Sequence, residues 1–258
     1  MSDEINLLID NFKKIANKKW IKSISNSFGS IGLTFEKELN KEPDALYFPD
    51  YYGTEIKCTS RYSRYPLFLF TISFDGPTFP EINRIVEKYG YPDKTYTDKK
   101  VLFEKISCTH KITTKSKFKF KLEIDDFEEK LYLCVYDLQN KLIERKSFVY
   151  LKSIENHITL KLNRLALIMA STKMIDNIKH FRYYKIDVYE FKGYENFIEL
   201  LKNDDIEVSL ISRIGKSGND TGRYRNKNLV FSIKKNKLGK LFNKIYSYDN
   251  DLYELISS

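Results

Sequence analysis

No run of the 258-residue sequence reaches the roughly 18 apolar residues that a bilayer-spanning helix requires, and the opening Met1-Ser2-Asp3-Glu4 is acidic where a secretory leader is basic. A soluble, cytoplasmic protein without a membrane partner is therefore expected. Cysteine is scarce: Cys58, Cys108 and Cys134 are odd in number, widely spaced and form no CxxC pair, which argues against a disulfide framework and against zinc or dithiol chemistry. Packing is their expected role. Only three histidines occur, His110, His157 and His180, none at ligand spacing, so a histidine-rich metal centre has little support and any divalent ion is expected on carboxylates. No Pro/Gly/Ser-rich linker and no internal repeat interrupts the chain, so a single domain over residues 1–258 fits better than two independent ones. Within it we expect two lobes, approximately 1–175 and 176–258.

What is plentiful is aromatic and basic. Tyr (19) and Phe (18) dominate a 15% aromatic content, and 42% of residues are hydrophobic, enough for a substantial core and unlike a disordered chain. The formal charge of +9 points towards a polyanionic partner, because cations set on phosphates release condensed counterions.

Along the chain, Ile5, Leu8, Ile9, Phe12 and Ile15 recur at helical spacing after a candidate N-cap, Ser2. A second short helix is expected over 34–39, burying Phe35 and Leu39, with residues 40–44 breaking it. Residues 54–59 alternate as a strand, with Ile56 and Cys58 on one face and Glu55 and Lys57 on the other. The apolar run 67–72 reads as a strand covered on both faces, so that two consecutive strands seat the polar residues on one buried sheet. Residues 74–116 give only a helix over 81–88. Strand-like segments follow at 118–124, 131–136 and 142–150. Then come a helix marked by Leu151, Ile154, Ile158 and Leu162, a buried strand at 165–170, a strand at 183–191, a helix at 194–202, strands at 206–214 and 229–233, and a short helix ending near Phe242.

Phosphodiester hydrolysis needs a hard cation on oxygen ligands, an activated water and a positive charge beside it. Asp50, just before the strand, and Glu55, within it, can converge on one metal, while Lys57 emerges on the same face as Glu55 to orient or activate the water. Asp/Glu/Lys sets also occur at Asp125, Glu128 and Lys130 and at Asp137, Glu144 and Lys146. The former lies in a polar turn and the latter spans a hairpin whose charges are expected to pair in solvent; only the first set precedes the apolar run. The alternative for Asp50, Glu55 and Lys57 is a solvated face of an edge strand.

The stretch Gly29 to Glu36 with Leu39, then Pro49-Asp50, Glu55-Ile56-Lys57 and Leu69-Phe70-Thr71, resembles the catalytic block of the MvaI/BcnI restriction endonucleases, relatives of MutH within the PD-(D/E)xK nucleases. The likeness continues more thinly through much of the remaining chain, to residue 218. The resemblance implies an α/β (α+β) fold with a mixed sheet flanked by helices, and two lobes forming a cleft for double-stranded DNA. It also implies a Mg²⁺-dependent monomer cutting a short site as part of a restriction system with a cognate methyltransferase. By position, Asp50 and Glu55 would be metal ligands, Lys57 the catalytic lysine and Glu36 an additional catalytic acid; Glu38, about 200° further round the helix, would face solvent. A MutH-like nicking enzyme and a catalytically inactive DNA-binding protein are the alternatives.

Near the C-terminus, Arg213, Lys216, Arg223, Arg225 and Lys227 crowd a Gly-, Ser- and Asn-rich segment opposed only by Asp220, with Lys234 and Lys235 close behind. A flexible basic loop over 215–228 is expected to enter a groove, arginine forks reading guanine and lysines meeting phosphates; the alternative is an exposed hairpin with solvated charges. Here the chain departs from the family: Arg225-Asn226-Lys227-Asn228 stands where relatives carry His-x-His-Gly, a change that bears on the sequence read and leaves the catalytic block untouched. Arg61, Arg64, Tyr62 and Tyr65, just after Lys57, are candidates for backbone contacts near the scissile phosphate; the alternative is an ordinary turn.

Overall fold

The computed structural model describes residues 3–27, 29–40 and 49–251. Its elements run α1 (Asp3–Asn17), β1 (Ile21–Lys22), α2 (Ser30–Glu38), β2 (Glu55–Ser60), β3 (Leu67–Ile72), α3 (Glu81–Tyr89), β4 (Tyr91–Pro92), β5 (Lys100–Ile106), β6 (Ile112–Thr113), β7 (Lys119–Asp125), β8 (Lys130–Tyr136), β9 (Leu142–Tyr150), α4 (Leu151–Leu162), β10 (Arg164–Ile175), β11 (Ile178–Phe191), α5 (Tyr194–Lys202), β12 (Ile206–Ile214), β13 (Tyr224–Ile233), α6 (Leu238–Leu241) and β14 (Phe242–Asp249). They form two compact units interleaved in sequence. One comprises Met1–Tyr65, Ile158–Lys192 and Phe242–Ser258, the other Pro66–His157 and Gly193–Leu241. Position 175, the expected division, falls inside the first unit at the β10–β11 hairpin.

The first unit is built on a mixed sheet ordered β1-β11-β10-β2, with β14 also paired to β11. β2 runs parallel to β10, Ile56 opposite Ala166 and Cys58 opposite Ile168. The predicted face of α1 is its buried face, and Ile5, Leu8, Phe12 and Ile15 join Phe35 of α2, Ile56, Ala166, Ile168 and Tyr183 in one core. Because side chains alternate along a strand, this packing turns Glu55 and Lys57 to the other face of β2. Ser2 and residues 41–48 lie outside the described residues. Helix α2 starts at Ser30, four residues before the expected start, and buries Ser30, Thr34 and Phe35.

The second unit holds two antiparallel sheets, β3-β13-β12-β5-β4 and β6-β7-β8-β9. The strands expected at 118–150 are β7 to β9, and the expected helices at 81–88 and 194–202 are α3 and α5. One expectation is overturned here: β2 and β3 are not neighbours in a single sheet, since β2 pairs with β10 and β3 with β13. Nor is β3 covered on both faces; Phe68 is exposed and Thr71 and Ile72 are half-buried. The expected loop is also shorter, because Tyr224 to Asn228 belong to β13 and only residues 215–223 connect the two strands. Glu144 is a fourth correction. Instead of pairing in solvent it is buried and held by Arg84, by Lys88 Nζ at 2.8 Å and by the Tyr89 hydroxyl at 3.0 Å, all from α3.

Candidate active site and nucleic-acid interface

A tight turn explains how carboxylates five residues apart meet. Tyr51 and Thr54 exchange backbone hydrogen bonds (3.0 and 2.8 Å), and Tyr52 and Gly53 both take positive φ, 41° and 76°. This is the pattern of a two-residue hairpin turn, for which a glycine at the second central position is favoured. Asn11 of α1 donates to the Tyr51 hydroxyl at 2.9 Å and ties the turn to the core helix. The chain before the turn thus folds back along β2, and the amide of Ile56 donates to Asp50 Oδ2 at 2.9 Å.

Glu55 is 1% exposed. Its Oε1 accepts a very short hydrogen bond from Lys57 Nζ and lies 3.9 Å from Lys161 Nζ, whereas Oε2 is buried with no hydrogen-bond partner. Burial pushes the Glu55 carboxyl up, Lys57 opposes that, and the neighbouring Asp50 charge adds to it. A carboxylate that is desolvated, crowded by a second anion and left with an open lone pair could serve a hard cation as a ligand. Among the described residues no group of three or more His, Cys, Asp or Glu side chains gathers closely enough to bind an ion. Two carboxylates nonetheless fit Mg²⁺, which keeps several waters and takes substrate phosphate oxygens.

Asp50, Glu55 and Lys57 are therefore brought together, and the buried Glu55 departs from the solvated edge-strand alternative. Glu36 sits on α2 near the core-facing Cys58, whose thiol is pushed up first by burial and then by the Glu36 and Asp50 charges. Glu38 is half-buried and ion-paired with Lys18 at 2.7 Å rather than turned freely to solvent.

All five basic candidates lie in the second unit, on the β12–β13 hairpin. Arg213 on β12 stands directly opposite Arg225 on β13, an arrangement of like charges that costs stability unless an anion lies between or near them. Asp220 supplies one, its Oδ2 accepting from Arg225 Nε (3.0 Å) and Nη2 (2.6 Å). The connection is close-packed: a Cβ on Gly215 would lie 2.1 Å from the Asp220 carbonyl oxygen. Pairing jumps from Ile211↔Asn228 to Ser212↔Asn226, leaving Lys227 as the extra residue of a bulge that re-aims its side chain. Its ammonium, 5.9 Å from the Phe68 ring centre, is pushed down by desolvation and then by Arg213 and Arg225, although the residue as a whole is exposed. Lys216 and Arg223 are exposed on the connection. Lys234 and Lys235 lie beyond the far end of β13, Lys234 paired with Glu207 at 3.4 Å.

Sequence reasoning missed the partners of this hairpin. Tyr91, Lys94, Phe103 and Lys115 line a cavity of about 480 Å³ together with Arg213 and Arg225. The first four fall in the stretch without periodicity. Beneath the hairpin, Ser212 donates to Asn226 Oδ1 at 2.6 Å and Asn226 donates to Asn83 Oδ1 of α3 at 2.9 Å, which fixes the bulge to the helix.

Comparison with known proteins bears on the family and the fold. Curated protein sequences give no match. A solved structure described as "Restriction endonuclease MvaI-cognate DNA substrate complex" has a TM-score of 0.87 at 26% identity, over 95% of this chain and 98% of that one. Another, "Restriction endonuclease MvaI in the absence of DNA", scores 0.60 at 22% identity over 96% and 98%, and bears on the fold alone. The expected mixed α+β architecture of sheets flanked by helices is the one observed. No helix among the described residues is long and apolar enough to cross a membrane. The model of the MvaI/BcnI restriction endonuclease family matches residues 9–242, and the chain belongs to that family.

Proposed function

We propose that this protein is a type II restriction endonuclease that hydrolyses phosphodiester bonds in double-stranded DNA at a short specific site, as a Mg²⁺-dependent monomer working beside a cognate methyltransferase. The observation that carries the reading is the buried, half-satisfied carboxylate of Glu55, beside Asp50 and hydrogen-bonded to Lys57, in a chain of a restriction endonuclease family. Asp50 and Glu55 would hold the ion. When bound, Mg²⁺ supplies Lewis-acid polarisation of the phosphate and a water of lowered pKa.

The remaining chemistry belongs to the chain. Lys57 keeps its ammonium beside Glu55, where it orients the attacking water and offsets negative charge developing on the phosphate. Glu36, on α2, is the additional acid that the family resemblance assigns. Arg213 and Arg225 present forks suited to the O6 and N7 of guanine, while Lys216, Arg223 and Lys227 serve the phosphates or base edges beside them.

Incubation of the protein with Mg²⁺ and diverse unmodified duplex DNA tests the proposal. Discrete fragments of reproducible size are expected; nicked circles without linear product would favour a strand-nicking enzyme instead, and binding without any hydrolysis an inactive DNA-binding protein.

A further inference from the structure

Beyond the end of β2 the first unit carries a second basic cluster that the catalytic site does not use. β10 and β11 slip in register between Met169↔Lys185 and Ala170↔Tyr183, so Tyr184 is the extra residue of a bulge. Such a residue is re-aimed out of the regular alternation. The Arg61 guanidinium lies over its ring at 5.0 Å, and the Arg61 amide is fixed by the Ala170 carbonyl at 2.9 Å. Arg182, on the same strand as Tyr184, points to the same place. Both guanidiniums flank one carboxylate: Arg61 Nη1 donates to Asp251 Oδ2 at 3.0 Å, while Arg182 Nη2 lies 2.9 Å from Asp251 Oδ1 as an ion pair, that oxygen being buried and accepting no hydrogen bond. Lys185 repeats the pairing with Asp249 at 3.5 Å.

Two guanidiniums flanking a single anion, one oxygen of which still lacks a hydrogen bond, make a site that suits a phosphate as well as a carboxylate. One of those guanidiniums is held over the Tyr184 ring. Asp251 stands two residues past β14, whereas Arg61 follows β2 and Arg182 lies on β11. We propose that Arg61 and Arg182 form a binding site for a backbone phosphate of duplex DNA, and that Asp251 is an internal stand-in which the DNA must displace. The proposal rests on the endonuclease reading and adds to it a non-catalytic contact four residues beyond Lys57, along with a built-in competitor for that contact.

The test measures binding of the full chain to a short fluorescent duplex in chelator, across a series of salt concentrations, with cleavage of plasmid DNA by the same wild-type preparation measured alongside. Asp251→Asn should tighten binding by about fivefold, the scale on which surface ion pairs compete. Asp10→Asn, which removes an exposed acid of α1 outside this site, controls for net charge and should change binding far less. Arg61→Ala and Arg182→Ala should each weaken binding and flatten the plot of log K against log salt by about 0.9. In the Arg61→Ala background the gain from Asp251→Asn should vanish. Equal effects of Asp251→Asn and Asp10→Asn, or Asp251→Asn that only lowers the melting temperature, would show that these ion pairs merely staple the segment after β14 and would overturn the proposal while wild-type cleavage stands. A wild-type protein that neither binds nor cuts duplex DNA would overturn this proposal and the endonuclease reading together.

Discussion

Two buried glutamates, each followed two residues later by a lysine, make opposite predictions. Burial would raise the Glu144 carboxyl, but hydrogen bonds from Arg84, Lys88 and Tyr89 outweigh it and bring the pKa from 4.5 down to about 2. A group whose folded pKa is depressed stabilises the fold above its unfolded pKa, and that contribution disappears as pH falls from about 4.5 towards 2. The shift corresponds to roughly 3 kcal/mol, and because a glutamine oxygen still accepts from Arg84, Glu144→Gln should lose about 2 kcal/mol at neutral pH. For a protein of this size that is a fall of about 4–8 °C in melting temperature. Glu55 has the reverse sign. Its folded pKa is raised, chiefly by burial, so the ionised form opposes folding once pH rises past that value. Glu55→Gln should therefore melt no lower than wild type at pH 7 without divalent ions. Thermal melts of the three proteins from pH 7 down to pH 3 read both effects: the Glu144→Gln deficit should narrow below pH 4.5, and Glu55→Gln should show none. If Glu55→Gln lost as much stability as Glu144→Gln, Glu55 would be a structural ion-pair partner of Lys57, and the metal-ligand reading would be wrong.

Other consequences are open to direct measurement. Addition of Mg²⁺ or Ca²⁺ should raise the melting temperature of wild type, since an ion at about 100 times its Kd stabilises by about 2.7 kcal/mol, and should leave Glu55→Gln unmoved; an equal rise in both would place the ion elsewhere. At Mg²⁺ well below saturation, metal-dependent cleavage should fall on acidification at a pH above that of an ordinary glutamate, because a protonated Glu55 cannot bind the ion; added Mg²⁺ should move this acid limb down, and it should be absent from metal-free DNA binding. Arg213→Ala should cost roughly 1–3 kcal/mol on the cognate site and relax the sequence preference, whereas Lys216→Ala should weaken all duplexes alike and reduce the salt slope by about 1; the opposite pattern would exchange their roles.

How far the sequence revealed this depends on the range of the interaction. Helix α1, α3 and α5 were legible because their apolar residues repeat every three or four positions and pack as that repeat dictates. The pairing of Glu55 with Lys57 on one face of β2 followed from strand alternation in the same way. Strand partners are not local, so nothing in residues 54–72 disclosed that β2 joins β10 while β3 joins β13, over a hundred residues away. β14 escaped notice because it is only partly buried and lacks a clean alternation of apolar residues. Glu144 was misjudged for a related reason: its partners Arg84 and Lys88 lie on α3, about sixty residues earlier in the chain. Gly53 was a usable signal for the turn that delivers Asp50, since positive φ after Tyr52 suits glycine best. The family resemblance alone drew attention to Glu36, which as an isolated helix glutamate carries no mark of function.

The most direct test of the account compares wild type, Glu55→Ala and Lys57→Ala for cleavage and for binding of the same duplex DNA with Mg²⁺ present. Wild type should cut, while both variants should lose cleavage by at least about a hundredfold and still bind the duplex. Cleavage by either variant at close to the wild-type rate would contradict the assignment of the active site.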